Sequence, residues 1–261
     1  MNVLQNLTVF YNQLPTDSTY RSVCNGILQN LEEAAGGTVY DLAELTHSSR
    51  TTIWRMIQKL GYESFSDFHH ELKNAVRSYT YYNRILPEGE CQNTQAVRDA
   101  LLSQMNSAYE DLQRQLDTRE LEAVAQSVYE SDRIRFYTSF QSSAIYSFQQ
   151  NLAMSGKETA CYRLLPDMIK DSQTLTDQSL VFIHTIEHAE TMDMKQVFES
   201  INEQGASIFG VGASKSKYRE YMDRILMEND NGKIVESMLS FDVYFYMLSE
   251  IYRLKYIDGK I

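Results

Sequence analysis

Apolar residues recur at intervals of three and four along the first third of the chain, which is the spacing of one face of a helix. Breaks at Pro15, Gly36-Gly37 and Gly61 divide this stretch, and the pattern predicts about five helices before residue 85. The predicted apolar stripes contain Leu4, Leu7, Phe10, Tyr11 and Leu14, then Val23, Ile27, Leu28 and Leu31, and finally Phe65, Phe68, Leu72, Ala75 and Val76.

The centre of this stretch, residues 39–68, predicts two short helices joined by a tight turn. Ser49 stands where the second helix begins, and a serine hydroxyl there accepts a hydrogen bond from a free backbone N–H. Ile53, Ile57 and Leu60 line one face, and Gly61 ends the helix. The opposite face carries Arg50, Thr51, Trp54, Arg55 and Gln58. Such a face suits the major groove of DNA, and the alternative is a small helical domain packed only for stability.

The order of motifs in this region resembles the RpiR/MurR family of transcriptional regulators. The shared pattern is Ser49-x-x-Thr52-x-x-Arg55, followed by Lys59-Leu60-Gly61-Tyr62 and then Phe65-Ser66-x-Phe68. The resemblance implies a helix-turn-helix that binds a double-stranded DNA operator. The candidate DNA-binding residues are Ser49, Arg50, Thr51, Thr52, Arg55 and Lys59.

The pattern changes after a stretch rich in Pro, Gly and polar residues at 86–93, which is the predicted linker. Two helices are expected at 94–116 and 118–130, and an apolar helix at 234–256. Between them, short apolar runs at 133–139, 158–164, 179–185, 206–211 and 224–227 alternate with helical stretches. Strands that alternate with helices predict a parallel sheet covered on both faces.

This second half resembles the sugar-isomerase (SIS) domain that follows the helix-turn-helix in RpiR regulators. Ile134-x-Phe136-Tyr137 resembles its first strand, Ser142 the serine of the next loop, and Gly205-Ala206-Ser207-Ile208 the entry to its fourth strand. The predicted fold class is therefore α plus α/β. A helical DNA-binding domain at 1–85 and a linker at 86–93 precede a SIS-like αβα domain with a five-stranded parallel sheet at 94–261.

The loops that hold a sugar phosphate in SIS domains differ here. The first strand is followed by residues 138–142, TSFQS, instead of a G-x-G-x-S motif, and Glu187 in the loop after the third strand would repel a phosphate. Ligands of open parallel sheets nevertheless bind beyond the carboxyl ends of the strands. The candidate effector-binding residues are Ser139, Gln141, Ser142, Ser143, His184, Thr185 and His188. A neutral or amino-bearing sugar derivative would suit Glu187 better than a bisphosphate.

Charge and cysteine content indicate the kind of partner and the cellular compartment of the protein. The net charge is −11 over 261 residues, yet residues 50–84 carry six Lys or Arg and three Asp or Glu. An acidic chain with a locally basic segment is typical of a DNA-binding module attached to an acidic domain. Three dispersed cysteines, no signal-peptide pattern and no long apolar run indicate a cytoplasmic protein without a membrane segment.

The spacing of His184 and His188 would suit a metal on a helix, but His184 is expected to end a strand. We therefore expect neither a metal nor a cofactor.

These observations favour a non-enzymatic transcriptional regulator of sugar or amino-sugar metabolism. Its second domain would form a homodimer or a dimer of dimers and would sense a sugar phosphate or a related metabolite. One alternative is a regulator whose SIS-like domain only assembles the dimer. The other alternative is a sugar-phosphate isomerase, which would need a positioned base and an anion site. No catalytic residues are assigned.

Overall fold

The computed structural model describes residues 3–77, 85–138, 141–184, 193–212, 216–227 and 234–258. The chain divides into two compact units, one made of Met1–Arg84 with Leu164–Asp167 and the other of the remaining residues. Within the described residues, no helix has both the length and the hydropathy of a membrane span.

Helices alone form the described part of the N-terminal unit. They are α1 (Val3–Gln13), α2 (Thr19–Gln29), α3 (Leu31–Gly36), α4 (Val39–Leu45), α5 (Arg50–Lys59) and α6 (Phe65–Arg77). Their core contains Leu7, Ile27, Leu42, Ile53, Phe68 and Leu72, all fully buried. This core matches the apolar stripes predicted from the sequence.

One predicted helix is divided in two at Asn30. The side-chain amide of Asn30 donates to the carbonyl of Gly26 at 2.8 Å, which is the acceptor that a continuous helix would give to the Asn30 backbone N–H. The backbone of Asn30 leaves the helical region at φ −133°, and α3 starts at the next residue. The described residues of this unit therefore form six helices, where the sequence predicted about five.

The second unit begins at Ile85, and a short 3₁₀-helix at Glu88–Glu90, inside the predicted linker, precedes α7 (Thr94–Gln115) and α8 (Thr118–Glu130). Strands β1 (Arg133–Tyr137), β2 (Glu158–Tyr162), β3 (Ser179–His184), β4 (Ser207–Val211) and β5 (Arg224–Leu226) follow. They are interleaved with α9 (Ser143–Met154), α10 (Leu165–Ser172) and α11 (Lys195–Glu203), and α12 (Ile234–Tyr256) comes last. The five strands form one parallel sheet in the order β2-β1-β3-β4-β5. The predicted fold class is confirmed.

One face of the sheet packs against α8, α9 and α12 through one hydrophobic cluster, which contains a group of packed aromatic rings. Phe136, Phe182 and Phe209 lie side by side on β1, β3 and β4 because the strand register aligns them. Phe245 of α12 lies over this row, with its ring centroid 5.7 Å from that of Phe136 and 5.3 Å from that of Phe182. α12 thus covers the centre of the sheet.

The opposite face of β1 carries a buried charged group. Arg135 donates from Nε to both carboxylate oxygens of Asp171 on α10, each at 3.1 Å, and also contacts Glu158 on β2. The hydroxyl of Tyr137 donates to Asp171 at 2.7 Å. Burial opposes the charge of Arg135, but the two carboxylates outweigh it and raise the pKa of its guanidinium. Burial and the bond to Asp171 likewise raise the pKa of Tyr137.

Candidate functional site

Hydrogen bonds define the starts of α4 and α5. Thr38 and Asp41 form a reciprocal capping box at α4, and bonding to the Thr38 backbone N–H and hydroxyl lowers the pKa of Asp41. His47 forms part of the turn with a positive φ of 49°. Ser49 then accepts the Thr52 backbone N–H at 3.1 Å, and its hydroxyl lies 2.9 Å from that of Thr52. The predicted role of Ser49 as helix cap is confirmed.

The end of α5 is fixed in a similar way. Gly61 adopts a positive φ of 94°, a conformation that glycine takes without steric cost. Its N–H donates to Gln58 at 3.0 Å, and the N–H of Tyr62 donates to Ile57 at 3.2 Å. This pair of bonds is a Schellman motif, which satisfies carbonyls that would otherwise have no partner. Both ends of α5 are therefore held by specific hydrogen bonds.

The two faces of α5 differ sharply in burial. Ile53, Met56, Ile57 and the following Leu60 are buried. The exposed face contains Arg50, Thr51, Trp54, Arg55, Gln58 and Lys59. The hydroxyl-bearing Ser49 and Thr52 lie at its amino end. The structure therefore brings all six predicted DNA-binding residues onto one short helix and its cap, although DNA contact itself stays a prediction.

Tyr40 of α4 is a candidate site residue that the sequence analysis missed. Its phenol is 63% exposed, and its hydroxyl accepts a hydrogen bond from Nη1 of Arg50 at 2.7 Å. The guanidinium carbon of Arg50 also lies 4.4 Å from the centre of the Tyr40 ring. Tyr40 thus holds Arg50 at the amino end of α5. An aromatic residue among exposed positions of the preceding helix was the signal that could have revealed it.

The predicted effector site lies where the order of the sheet reverses. The chain passes from β1 outward to β2 and then returns to β3 on the other side of β1, so the carboxyl ends of β1 and β3 are neighbours. Ligands of open parallel sheets bind at such a reversal. The candidates Ser139, Thr185 and His188, and also Glu187, lie outside the described residues.

The serines after β1 are engaged with α12. Ser142 caps α9 by accepting the Ile145 N–H at 3.2 Å, and its buried hydroxyl donates to the carboxylate of Asp242. The hydroxyl of the exposed Ser143 lies 2.8 Å from that of Tyr246. The exposed Gln141 accepts a long hydrogen bond of 3.4 Å from Arg163. The start of α9 is therefore tied to α12 by two hydrogen bonds.

His184 ends β3 in a buried position. Its ring packs edge-on against Phe241, with centroids 4.6 Å apart, and burial lowers its pKa from 6.5 to about 3. The imidazole is therefore neutral at pH 7. Gly212, after β4, has a positive φ of 70°, and a Cβ built there would lie 4.0 Å from Nε2 of His184. The end of β4 thus adjoins this site, which the sequence analysis did not anticipate.

The N-terminal unit matches a known sequence family, and solved structures resemble the chain over both units. Residues 1–78 match the family described as "Helix-turn-helix domain, rpiR family". No curated protein sequence matches the chain. Among solved structures, the Vibrio vulnificus NanR protein complexed with ManNAc-6P aligns at a TM-score of 0.49 and 17% identity, covering 99% of this chain and 94% of that chain.

A second similar structure is the sugar isomerase domain of an RpiR transcription factor from Sphaerobacter thermophilus. It aligns at a TM-score of 0.45 and 14% identity, covering 59% of this chain and 90% of that chain. Both structural likenesses are too distant to assign a ligand or a function to this chain. The sequence match and the geometry of α4 and α5 agree, however, and both indicate that residues 1–78 are similar to the helix-turn-helix domains of the rpiR family.

Proposed function

We propose that the protein is a DNA-binding transcriptional regulator whose helix α5 enters the major groove. The observation that carries this proposal is the exposed face of α5. It presents Arg50, Arg55 and Lys59 in a helix-turn-helix domain of the rpiR family, and residues 50–59 contain no acidic side chain. Cations on a short exposed helix neutralise phosphates, while Thr51 and Gln58 can hydrogen-bond base edges.

The proposed regulator acts as a homodimer, or as a dimer of dimers, because one helix-turn-helix contacts only a short half-site. Exposed apolar side chains on two helices of the second unit that pack together, α7 and α12, support this. They are Leu102, Met105 and Tyr109 on α7 and Met238, Tyr246, Met247 and Leu254 on α12. Light scattering at micromolar concentration is expected to give twice or four times the mass of one chain, and a monomer would exclude this assembly.

The proposed effector is a small polar metabolite, such as a sugar phosphate or an amino-sugar derivative, bound at the carboxyl ends of β1 and β3. The reversal of strand order and the amino end of α9 support this placement. The hydrogen bond from Ser142 to Asp242 means that an effector would compete with α12 for this hydroxyl. Calorimetry with ManNAc-6P and simple sugar phosphates, on wild type and on Ser142→Ala, tests it.

One observation favours the second candidate function, in which the second unit, called the sheet unit below, only assembles the dimer. Ser142 and Ser143 both bond to residues of α12, so two of the predicted effector groups already have partners within the fold. If neither ManNAc-6P nor any of the simple sugar phosphates gives binding heat in calorimetry or raises the melting temperature, this candidate is favoured. Catalytic interconversion of a sugar phosphate would instead support an isomerase.

The test of DNA binding uses duplexes enriched by the protein from a random-sequence library. Arg50→Ala and Arg55→Ala are expected to weaken binding, by about 1–3 kcal/mol where the side chain contacts a base. A phosphate contact would weaken all sequences alike. Arg77→Ala is the matched control, since it removes the same charge from the exposed end of α6. If both α5 variants bind as tightly as the control, α5 is not the interface.

A further inference from the structure

Trp54 occupies an unusual position for a tryptophan. It is the only tryptophan in the chain, and it lies on the exposed face of α5 with 47% of its surface accessible. On a helix, residues three and four positions apart are neighbours, so Thr51 and Gln58 flank the indole. The exposed face of the helix that is proposed to enter the groove therefore carries one large apolar side chain among its polar ones.

The indole N–H can donate to acceptors on guanine, adenine or thymine in the major groove, but the apolar rings of the side chain find one matching group there. Guanine, adenine and cytosine present hydrogen-bond donors and acceptors there, whereas thymine adds an apolar 5-methyl group. The indole ring cannot accept a hydrogen bond, and its N–H is a donor only. Residues near the amino end of a recognition helix are those that contact base edges, and Trp54 is the fifth residue of α5.

We infer that Trp54 is a specificity-determining residue that packs against the 5-methyl group of thymine in the bound DNA. This inference rests on the proposed function of α5 in DNA binding. A polyanion is the partner that fits the surroundings of the ring, because Arg50, Arg55 and Lys59 share the same helix and residues 50–59 include no acid. The cations hold the backbone, and Trp54 selects the base.

The experiment compares duplexes that differ only in this methyl group. A duplex enriched from a random-sequence library is synthesised with thymine or with deoxyuridine at each thymine position in turn. Binding is followed by anisotropy of a dye on the DNA and by emission of the protein's one tryptophan. Loss of one buried methyl group is expected to weaken binding about fourfold at one position of each half-site. The tryptophan emission should change on binding, since the indole leaves water.

Variants assign the effect to Trp54. Trp54→Ala is expected to weaken binding and to bind the thymine and deoxyuridine duplexes equally, while Trp54→Phe keeps part of the discrimination. Arg55→Ala, the control, should weaken both duplexes by the same factor and preserve their ratio. If Trp54→Ala does not fold, as judged by circular dichroism, the wild-type comparison and Trp54→Phe still decide.

The failures can be told apart. Equal affinity of the wild-type protein for all thymine and deoxyuridine duplexes overturns the inference and leaves the proposed function in place. Unchanged tryptophan emission in a complex detected by anisotropy also overturns it. Absence of binding to any duplex overturns the proposed function itself.

Discussion

Truncation of Asp171 to alanine is expected to destabilise the sheet unit, because it leaves the buried guanidinium of Arg135 without its main partner. The side chains of Arg135 and Asp171 are only 4% and 7% exposed. The substitution removes the bond from Arg135 Nε to both oxygens and the bond from the Tyr137 hydroxyl. Water cannot replace these partners without opening the unit, so the penalty falls on the folded state.

The size of the effect follows from the partners that remain. Breaking a buried ion pair by removal of one member costs about 3–5 kcal/mol. Glu158 stays in contact with Arg135, but its side chain is 57% exposed, so it offsets only part of the loss. We therefore expect the lower end, about 3 kcal/mol, which in a unit of this size lowers the melting temperature by roughly 6–12 °C.

Urea unfolding followed by circular dichroism measures this loss. Tryptophan emission reports only the helical unit, so a transition that shifts in circular dichroism alone belongs to the sheet unit. Glu158→Ala, which removes the exposed partner, is the control and should cost no more than about 1 kcal/mol. Combined replacement of Arg135, Tyr137 and Asp171 by Met, Phe and Leu should recover most of the stability. An Asp171→Ala protein no less stable than Glu158→Ala would refute the burial of this pair.

Three further outcomes are expected. Ser49→Ala should lower the free energy of unfolding of the N-terminal unit by about 1 kcal/mol, because the backbone N–H of Thr52 loses its acceptor at the start of α5. Ser49→Thr should lower it less, and urea unfolding followed by tryptophan emission measures both. His184 keeps a folded pKa of about 3 against 6.5 unfolded, so the unfolded chain binds the extra proton and stability falls below pH 6.5. Between pH 7 and pH 5 this effect lowers the free energy of unfolding by about 2 kcal/mol. If the free energy of unfolding of His184→Gln falls as steeply over this pH range as that of the wild type, the reasoning is contradicted. Tyr40→Ala should weaken binding of an enriched duplex by about 0.5–1 kcal/mol, and Tyr40→Phe by less, since the phenylalanine ring still holds Arg50; equal affinities would exclude this role.

Local signals in the sequence were sufficient for much of the fold. α8 and α12 begin and end where the sequence predicts. The apolar periodicity of α8 is strong, and α12 is a long, mostly apolar stretch that polar residues bound in the sequence. The cap at Ser49 and the glycine stop at Gly61 depend only on neighbouring residues, and both were predictable. The break at Asn30 is also local, but it depends on a side chain taking the Gly26 carbonyl from the backbone, which composition alone does not reveal.

The parts of the site that were not predicted depend on distant residues. Arg135 in a short apolar run gives no sign that it is buried, since its partner Asp171 lies on another element 36 positions away. Ser142 was identified as a candidate for the effector, yet its hydroxyl bonds to Asp242, 100 positions further along the chain. Spacing along a sequence carries no information about such contacts.

The place of α12 along the chain also has a consequence for the order of synthesis. Phe245 completes the aromatic cluster over Phe136 and Phe182, yet α12 follows all five strands. At ribosomal rates of about 5–20 residues per second, β1 emerges roughly 5–25 s before the helix that covers it. During this interval the apolar face of the sheet is without its cover. Newly made chains of this protein should therefore depend on chaperones until α12 has left the ribosome, and chains truncated before Ile234 should aggregate.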